Sequence, residues 1–198
     1  MDFDNTIVSY DALFHKAGIE QALIPPDVAA NKLAVRDYLR ANGQEDAWTE
    51  LQGYVYGARM DEAIAYDGVI AFCLEAYAGG HELFIISHKT RHPFLGPQHD
   101  LHAAARDWIG RHLTFNGGAL VPTQRVFFEL TKVEKIARIV DCQCDVYIDD
   151  LPEILSSPDF PKRTARLLFD PERRHGDATA NGMRVFSSWQ SLDGHLYQ

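Results

Sequence analysis

The sequence predicts an α/β protein: a three-layer α/β/α, Rossmann-like parallel sheet with an inserted α-helical cap. Three observations carry that expectation. Short apolar runs alternate with amphipathic stretches along most of the chain, the order that builds a parallel sheet covered on both faces. Those runs, such as LFII at 83–86, are continuous rather than alternating, as in strands buried on both sides. Between the first and second strands lies a helical stretch of about 55 residues, far longer than an ordinary connection. The expected partition is a core from 1–10 and 66–198, with a cap insert at 11–65.

The elements follow in order. FDNTIV (3–8) reads as the end of a strand running into a loop, and YDALFHKAGIEQALI (10–24) as a helix broken by Pro25-Pro26. DVAANKLAVRDYLRAN (27–42) is a second helix, with Gly43 as its C-terminal stop. A third, EDAWTELQGYVYGARM (45–60), carries Trp48, Leu51, Val55 and Ala58 on one stripe. AYDGVIAFCLEAYAGG (65–80) is a helix closed by Gly79-Gly80, and ELFIIS (82–87) a buried strand ending at Ser87. A helix near 99–112 leads through the loop TFNGGALVPTQ to a strand RVFFE (125–129). Thr131 can cap the helix TKVEKIARIV, which feeds a strand DVYID ending at Asp149-Asp150. Strands ARLLFD and RVF and a C-terminal helix complete the chain.

Composition narrows the function classes. A chain of 198 residues, 46% hydrophobic and 24% charged, suits a soluble globular protein with one sizeable core. No apolar run is long enough to span a bilayer and no signal-peptide pattern opens the sequence, so a cytoplasmic, non-membrane protein is expected. The net charge of −9 argues against a nucleic-acid partner, which would need concentrated Lys and Arg. Three cysteines, with Cys142 and Cys144 one residue apart, suggest buried thiols rather than a disulfide framework. Five of the nine histidines fall between His81 and His102. His88 and His92 have helical spacing, but Pro93 disfavours a helix there, so no dedicated histidine metal site is expected.

The chemistry concentrates at the carboxyl ends of the expected strands, where open parallel sheets place their ligand crevice. Asp2 and Asp4 stand at i and i+2, on one side of an extended backbone, where like charges repel unless a cation or a proton intervenes. Ser87 ends the second strand, and Asp149 and Asp150 end a later one. Carboxylates gathered in one crevice need a cation, and all-oxygen ligation suits Mg²⁺. Ser87 and a lysine from 131–135 would add the donors that a phosphoryl group requires.

DFDNT, IIS, TK and IDD, in this order, resemble the four motifs of the haloacid dehalogenase superfamily, most of whose members are phosphatases. The resemblance runs through nearly the whole chain outside the insert. It implies Asp2 as a nucleophile that forms an aspartyl-phosphate, and Asp4 as the acid, then base, of the two half-reactions. It implies Mg²⁺ held by the Asp2 side chain, the Asp4 backbone carbonyl and Asp149, with Asp150 adjacent or acting through water. Ser87 would hydrogen-bond a phosphoryl oxygen, and Lys132 would neutralise charge there, with Lys135 as the alternative one helical turn on. The substrate implied is a small phosphorylated metabolite.

Other readings compete on the same residues. Asp150 can N-cap the helix LPEIL. In SHKTRHPFLGPQ (87–98), His88, Lys89, Arg91 and His92 either grip substrate or form a solvated loop. Tyr54, Tyr56 and Arg59 of the insert could reach the substrate, though an aromatic stripe at helical spacing is more often core. A phosphomutase or a dehalogenase would use the same scaffold. Asp4 argues against the latter, since a departing halide needs no acid. A catalytically silent metabolite-binding or scaffolding protein is the alternative of another class. One departure stands out: only Met1 precedes Asp2, whereas the family's first strand contributes about five residues there, an ordinary strand length. Either the chain begins later than its natural start, or the sheet is built without most of that strand.

Overall fold

The computed structural model describes residues 1–176 and 182–192, and it is a mixed α/β structure with parallel sheets. The elements, in chain order, are β1 (Val8–Ser9), α1 (Asp11–Glu20), α2 (Lys32–Ala41), α3 (Glu45–Tyr56), β2 (Ile64–Ala65), α4 (Val69–Ala78) and β3 (Ile85–His88). There follow α5 (Leu101–His112), β4 (Thr114–Phe115), β5 (Gly118–Ala119), β6 (Val126–Glu129), α6 (Lys132–Asp141), β7 (Val146–Asp149), α7 (Pro152–Leu155), β8 (Ala165–Phe169) and β9 (Arg184–Phe186). The expected C-terminal helix is represented by a 3₁₀ turn at Trp189–Leu192, and the rest of it lies outside the described residues. The loop expected at 114–124 contains a small antiparallel hairpin, β4–β5.

The chain clusters into two compact units. Unit 1 holds Met1–Val8, Ala65–Lys89 and the described residues from Leu113 onward; unit 2 holds Ser9–Ile64 and Thr90–His112. Residues 90–112 thus belong to unit 2, whereas the sequence pattern groups them with the core.

In unit 1, β3 pairs with β6, and β7 with β8 and β8 with β9, all in parallel. The first strand is reduced to an extended segment between β3 and β7. The Met1 ammonium donates to the Phe84 carbonyl at 2.8 Å and the Met1 carbonyl accepts from Ile86 N at 3.0 Å. That is the slanted pattern of a parallel pair. On the other side, Asp2 N donates to the Ile148 carbonyl at 2.8 Å. Backbone bonds on both flanks satisfy polar groups that burial would otherwise leave unpaired. The Tyr147 hydroxyl adds a further tie from β7 to the Ile86 carbonyl of β3.

Alternation along β8 sends neighbouring side chains to opposite faces. Leu168 joins Ile86, Ile136, Ile139, Tyr147, Ile154, Leu155 and Phe160 in one apolar cluster, built with α6 and α7. Phe169 instead meets Tyr66, Phe186 and Trp189, with ring centroids 4.8–5.7 Å apart, and Phe72 of α4 packs on Trp189. The Trp189 indole donates to the Thr6 carbonyl at 3.1 Å, which steadies the loop after the first segment. The three cysteines are free thiols, and burial pushes Cys73 up to about 12.

Unit 2 is helical. Val35 and Leu39 of α2, and Trp48, Leu51 and Val55 of α3, are buried with Leu13, Phe14 and Ala17 of α1. Ala58, on the expected stripe, is exposed because α3 stops at Tyr56. Asn31 caps α2 by accepting from Ala34 N at 2.8 Å, four residues after the start that the pattern suggests. Tyr10, Phe14, Trp48 and Tyr56 form an aromatic cluster. The 93–99 loop lies close on glycines in and just after α3: a Cβ at Gly53 would stand 2.6 Å from Pro93 Cβ, and one at the C-cap Gly57 2.5 Å from His99 Cβ. The Trp108 indole of α5 donates to the Ala63 carbonyl at 2.8 Å.

Candidate metal and phosphoryl site

The site forms where the first segment, β7 and α6 meet in unit 1. Asp2 follows a residue hydrogen-bonded to β3 and is itself bonded to β7, so its side chain starts from a backbone fixed on both sides. Asp149 ends β7 and Asp150 follows it. One carboxylate oxygen from each of Asp2, Asp149 and Asp150 lies within 4.8 Å of the others. Residues about 150 positions apart thus share one coordination-sized volume, as expected of strand ends on one edge of a parallel sheet.

A lysine enters the same volume. Lys135 Nζ donates to Asp2 Oδ1 at 2.7 Å and stands 2.7 Å from Asp149 Oδ2. All three are buried, at 1%, 5% and 0% side-chain exposure. Asp149 Oδ2 makes no well-formed hydrogen bond among the described residues and is held by the Lys135 charge. Asp149 Oδ1 accepts from Leu151 N at 3.0 Å, and Asp150 Oδ1 from the Thr6 hydroxyl at 3.3 Å. Burial pushes the Asp149 carboxyl up to about 6 against the pull of Lys135. The same neighbouring carboxylates hold Lys135 above its ordinary range despite burial.

These residues fit a hard divalent cation. The donors are carboxylate oxygens, the set that Mg²⁺ and Ca²⁺ favour. Asp149 Oδ2 has the Lys135 charge beside it but no well-formed hydrogen bond among the described residues, and a metal ion would complete it.

The other expected residues fall as follows. Ser87 is buried in β3, opposite Phe128 of β6. Asp4 does not join the carboxylate cluster with its side chain; it pairs with Lys89, at 2.8 Å and 2.9 Å from Nζ to its two oxygens. Lys132 does not reach the site, because it points to solvent and pairs with Glu153 at 3.0 Å. On α6 the buried positions are 135, 136 and 139, which puts Lys135 inward and Lys132 outward. Asp150 does not cap α7: the cap residue is Leu151, and its N–H goes to Asp149.

Between Asp4 and Val8 the chain makes a tight loop, closed by Asn5 N to Val8 O at 2.9 Å and Ile7 N to Phe3 O at 3.0 Å. Asn5 sits there at φ 58°, a left-handed conformation that asparagine tolerates better than most side chains.

The expected solvated or substrate-gripping loop divides. Lys89 is buried against Asp4, Arg91 pairs with Asp100, and His88 and His92 contact the backbone carbonyls of Leu130 and His99. In unit 2, Arg59 is engaged by Glu20, Glu62 and the Tyr54 hydroxyl, and Tyr56 packs in the aromatic cluster.

No protein-family model matches this chain, and no curated protein matches it. Among solved structures, it is similar to the crystal structure of a hydrolase from Pseudomonas syringae, at 13% sequence identity and a TM-score of 0.53. The likeness covers 99% of this chain and 95% of that one, and it is therefore a shared fold along nearly the whole length of both.

Proposed function

We propose that this chain is a Mg²⁺-dependent phosphomonoester hydrolase of the haloacid dehalogenase type, acting on a small phosphorylated metabolite in the cytoplasm. In this reading unit 1 is a three-layer α/β/α core and unit 2 its helical cap. The observation that carries it is the buried Asp2–Lys135–Asp149 constellation, with Asp150 in the same volume and one Asp149 oxygen lacking a hydrogen bond.

Asp2 would attack phosphorus through Oδ2, because Lys135 occupies Oδ1. The P–O bond to the leaving group breaks as the Asp2 oxygen–phosphorus bond forms. Asp4 gives its proton to the departing oxygen, then takes one from the water that releases phosphate from Asp2. Lys135 would balance charge on the phosphoryl oxygens, and the Ser87 hydroxyl would donate a hydrogen bond to one of them. Asp2, Asp149, Asp150 and the Asp4 carbonyl would hold the ion, which supplies charge neutralisation at the transferring phosphoryl group. Preorganised charge of this kind supplies most of the work in phosphoryl transfer. Lys135 takes the role that sequence spacing assigns to Lys132.

The test is hydrolysis of p-nitrophenyl phosphate with Mg²⁺ or with EDTA. Chelation should abolish turnover, and Asp2→Asn should lower it by about 10³-fold or more, the scale of losing a nucleophile. Equal rates for Asp2→Asn and the unmutated chain would end the proposal.

A further inference from the structure

We infer that Lys135 is a built-in counter-ion, which holds the empty carboxylate site together and weakens the binding of a metal ion there; this rests on the metal-dependent reading above. The lysine is fixed from its helix outward. Thr131 caps α6 by accepting from Glu134 N at 3.1 Å, which sets where the helix starts. Lys135 then falls on the same buried face as Ile136 and Ile139, which pack in one cluster with Tyr147. The Tyr147 hydroxyl is tied to the Ile86 carbonyl, and Lys135 Nζ lies 5.8 Å from the centroid of that ring. Only 1% of the lysine side chain is exposed.

Nζ stands 2.7 Å from Asp2 Oδ1 and 2.7 Å from Asp149 Oδ2. Both residues belong to the group whose carboxylate oxygens come within 4.8 Å of one another, so an ion held by that group shares its ligands with an ammonium. In the empty site the ammonium offsets buried negative charge, which would otherwise stand uncompensated. In the filled site the same ammonium repels the ion. That repulsion scales with the product of the two charges, and burial spares it most of the screening that salt gives at a surface. A lysine on a free stem would relieve it by swinging its head into water. Packing denies Lys135 that route. The ion therefore binds against a fixed positive charge, and weaker binding accompanies an empty state that stays folded.

The experiment titrates Ca²⁺ and Tb³⁺, ions of similar size and different charge, and also Mg²⁺, into metal-stripped protein by isothermal calorimetry. About pH 7.5 keeps protons from competing for the carboxylates. The unmutated chain is compared with Lys135→Met and Lys135→Arg. Lys135→Met should bind Ca²⁺ and Mg²⁺ about 10-fold more tightly and Tb³⁺ about 30-fold more tightly, because the lost repulsion grows with the charge of the ion. Lys135→Arg keeps the charge and should bind all three ions more weakly than Lys135→Met does. A lysine that only fills space would shift the affinities for Ca²⁺ and Tb³⁺ by the same factor.

No gain in affinity on loss of the charge, or an equal gain for Ca²⁺ and Tb³⁺, overturns the inference. If Lys135→Met does not fold without metal, by far-UV circular dichroism, Asp2→Asn/Lys135→Met is compared with Asp2→Asn, which carries one buried negative charge fewer. The same gains are expected in that background. Absence of cation binding in the unmutated chain and in every lysine variant takes down the metal-dependent reading, and this inference with it. Cation binding without the gain takes down the inference alone.

Discussion

Lys135 and Arg59 each stand between two carboxylates, and their surroundings separate them. In unit 1, Lys135 lies between Asp2 and Asp149, with all three side chains at most 5% exposed. In unit 2, Arg59, itself 14% exposed, reaches Glu20 and Glu62, whose side chains are 45% and 40% exposed, and Lys16 shares Glu62 at 2.8 Å. The unit 2 network is a surface brace: its carboxylates keep their water and lose little when the cation is removed. The unit 1 group has given up its water, so each charge depends on the others or on an added cation. Burial, rather than the count of charges, is what marks chemistry here.

The largest expected effect follows from removing each cation in turn. Lys135→Met leaves buried carboxylates facing one another and should cost about 3–5 kcal/mol in urea denaturation with EDTA. Mg²⁺ should recover part of that loss. Arg59→Met should cost no more than about 1 kcal/mol, with no response to Mg²⁺. Equal losses, or Mg²⁺ recovery in both, would break the contrast. Unit 2 should instead be sensitive to packing: Gly53→Ala drives a methyl into Pro93 and should cost about 1–3 kcal/mol by the same measurement.

The smallest effect is a difference in sign with pH. Asp149 is raised to about 6, chiefly by burial. Between its ordinary carboxyl range and pH 6 the folded chain holds a proton that the unfolded chain has lost. Its contribution is therefore complete at low pH and is lost as pH rises toward 6 in EDTA. Glu62 is lowered to about 2, first by its hydrogen bonds from Arg59 and then by that from Lys16. Its contribution is complete above its ordinary value and is lost as pH falls toward 2. Urea midpoints against pH should flatten in the upper window for Asp149→Asn and in the lower window for Glu62→Gln. Slopes of the same sign would remove the distinction.

The fold was legible where strands are continuous and glycines punctuate. Gly43 and Gly80, at φ 69° and 81°, lie just past α2 and α4 as the pattern suggests. Asp2, Asp149 and Asp150 were legible as a set because strand ends share one edge of a sheet. The lysine was legible only as one of two: motif spacing favours Lys132, at the first turn of its helix, with Lys135 as the alternative. Tertiary packing rotates α6 instead: Val133 and Val140 are exposed, and the buried face runs through Lys135, Ile136 and Ile139. The Lys89–Asp4 pair was invisible because its partners stand 85 residues apart, and no local spacing announces them. The grouping of 90–112 with the helical insert was hidden for a similar reason: Gly53 and Gly57 make room for the 93–99 loop, and only the folded chain shows that contact.

Unit 2 is written in two passages, 9–64 and 90–112, separated by α4 and β3 of its neighbour. Any attempt to express it alone must therefore splice residue 64 to residue 90, since the first passage by itself would strip Ala63 of the indole that Trp108 brings to it. The boundary between the two units is a property of space, and a single cut in the gene cannot reproduce it.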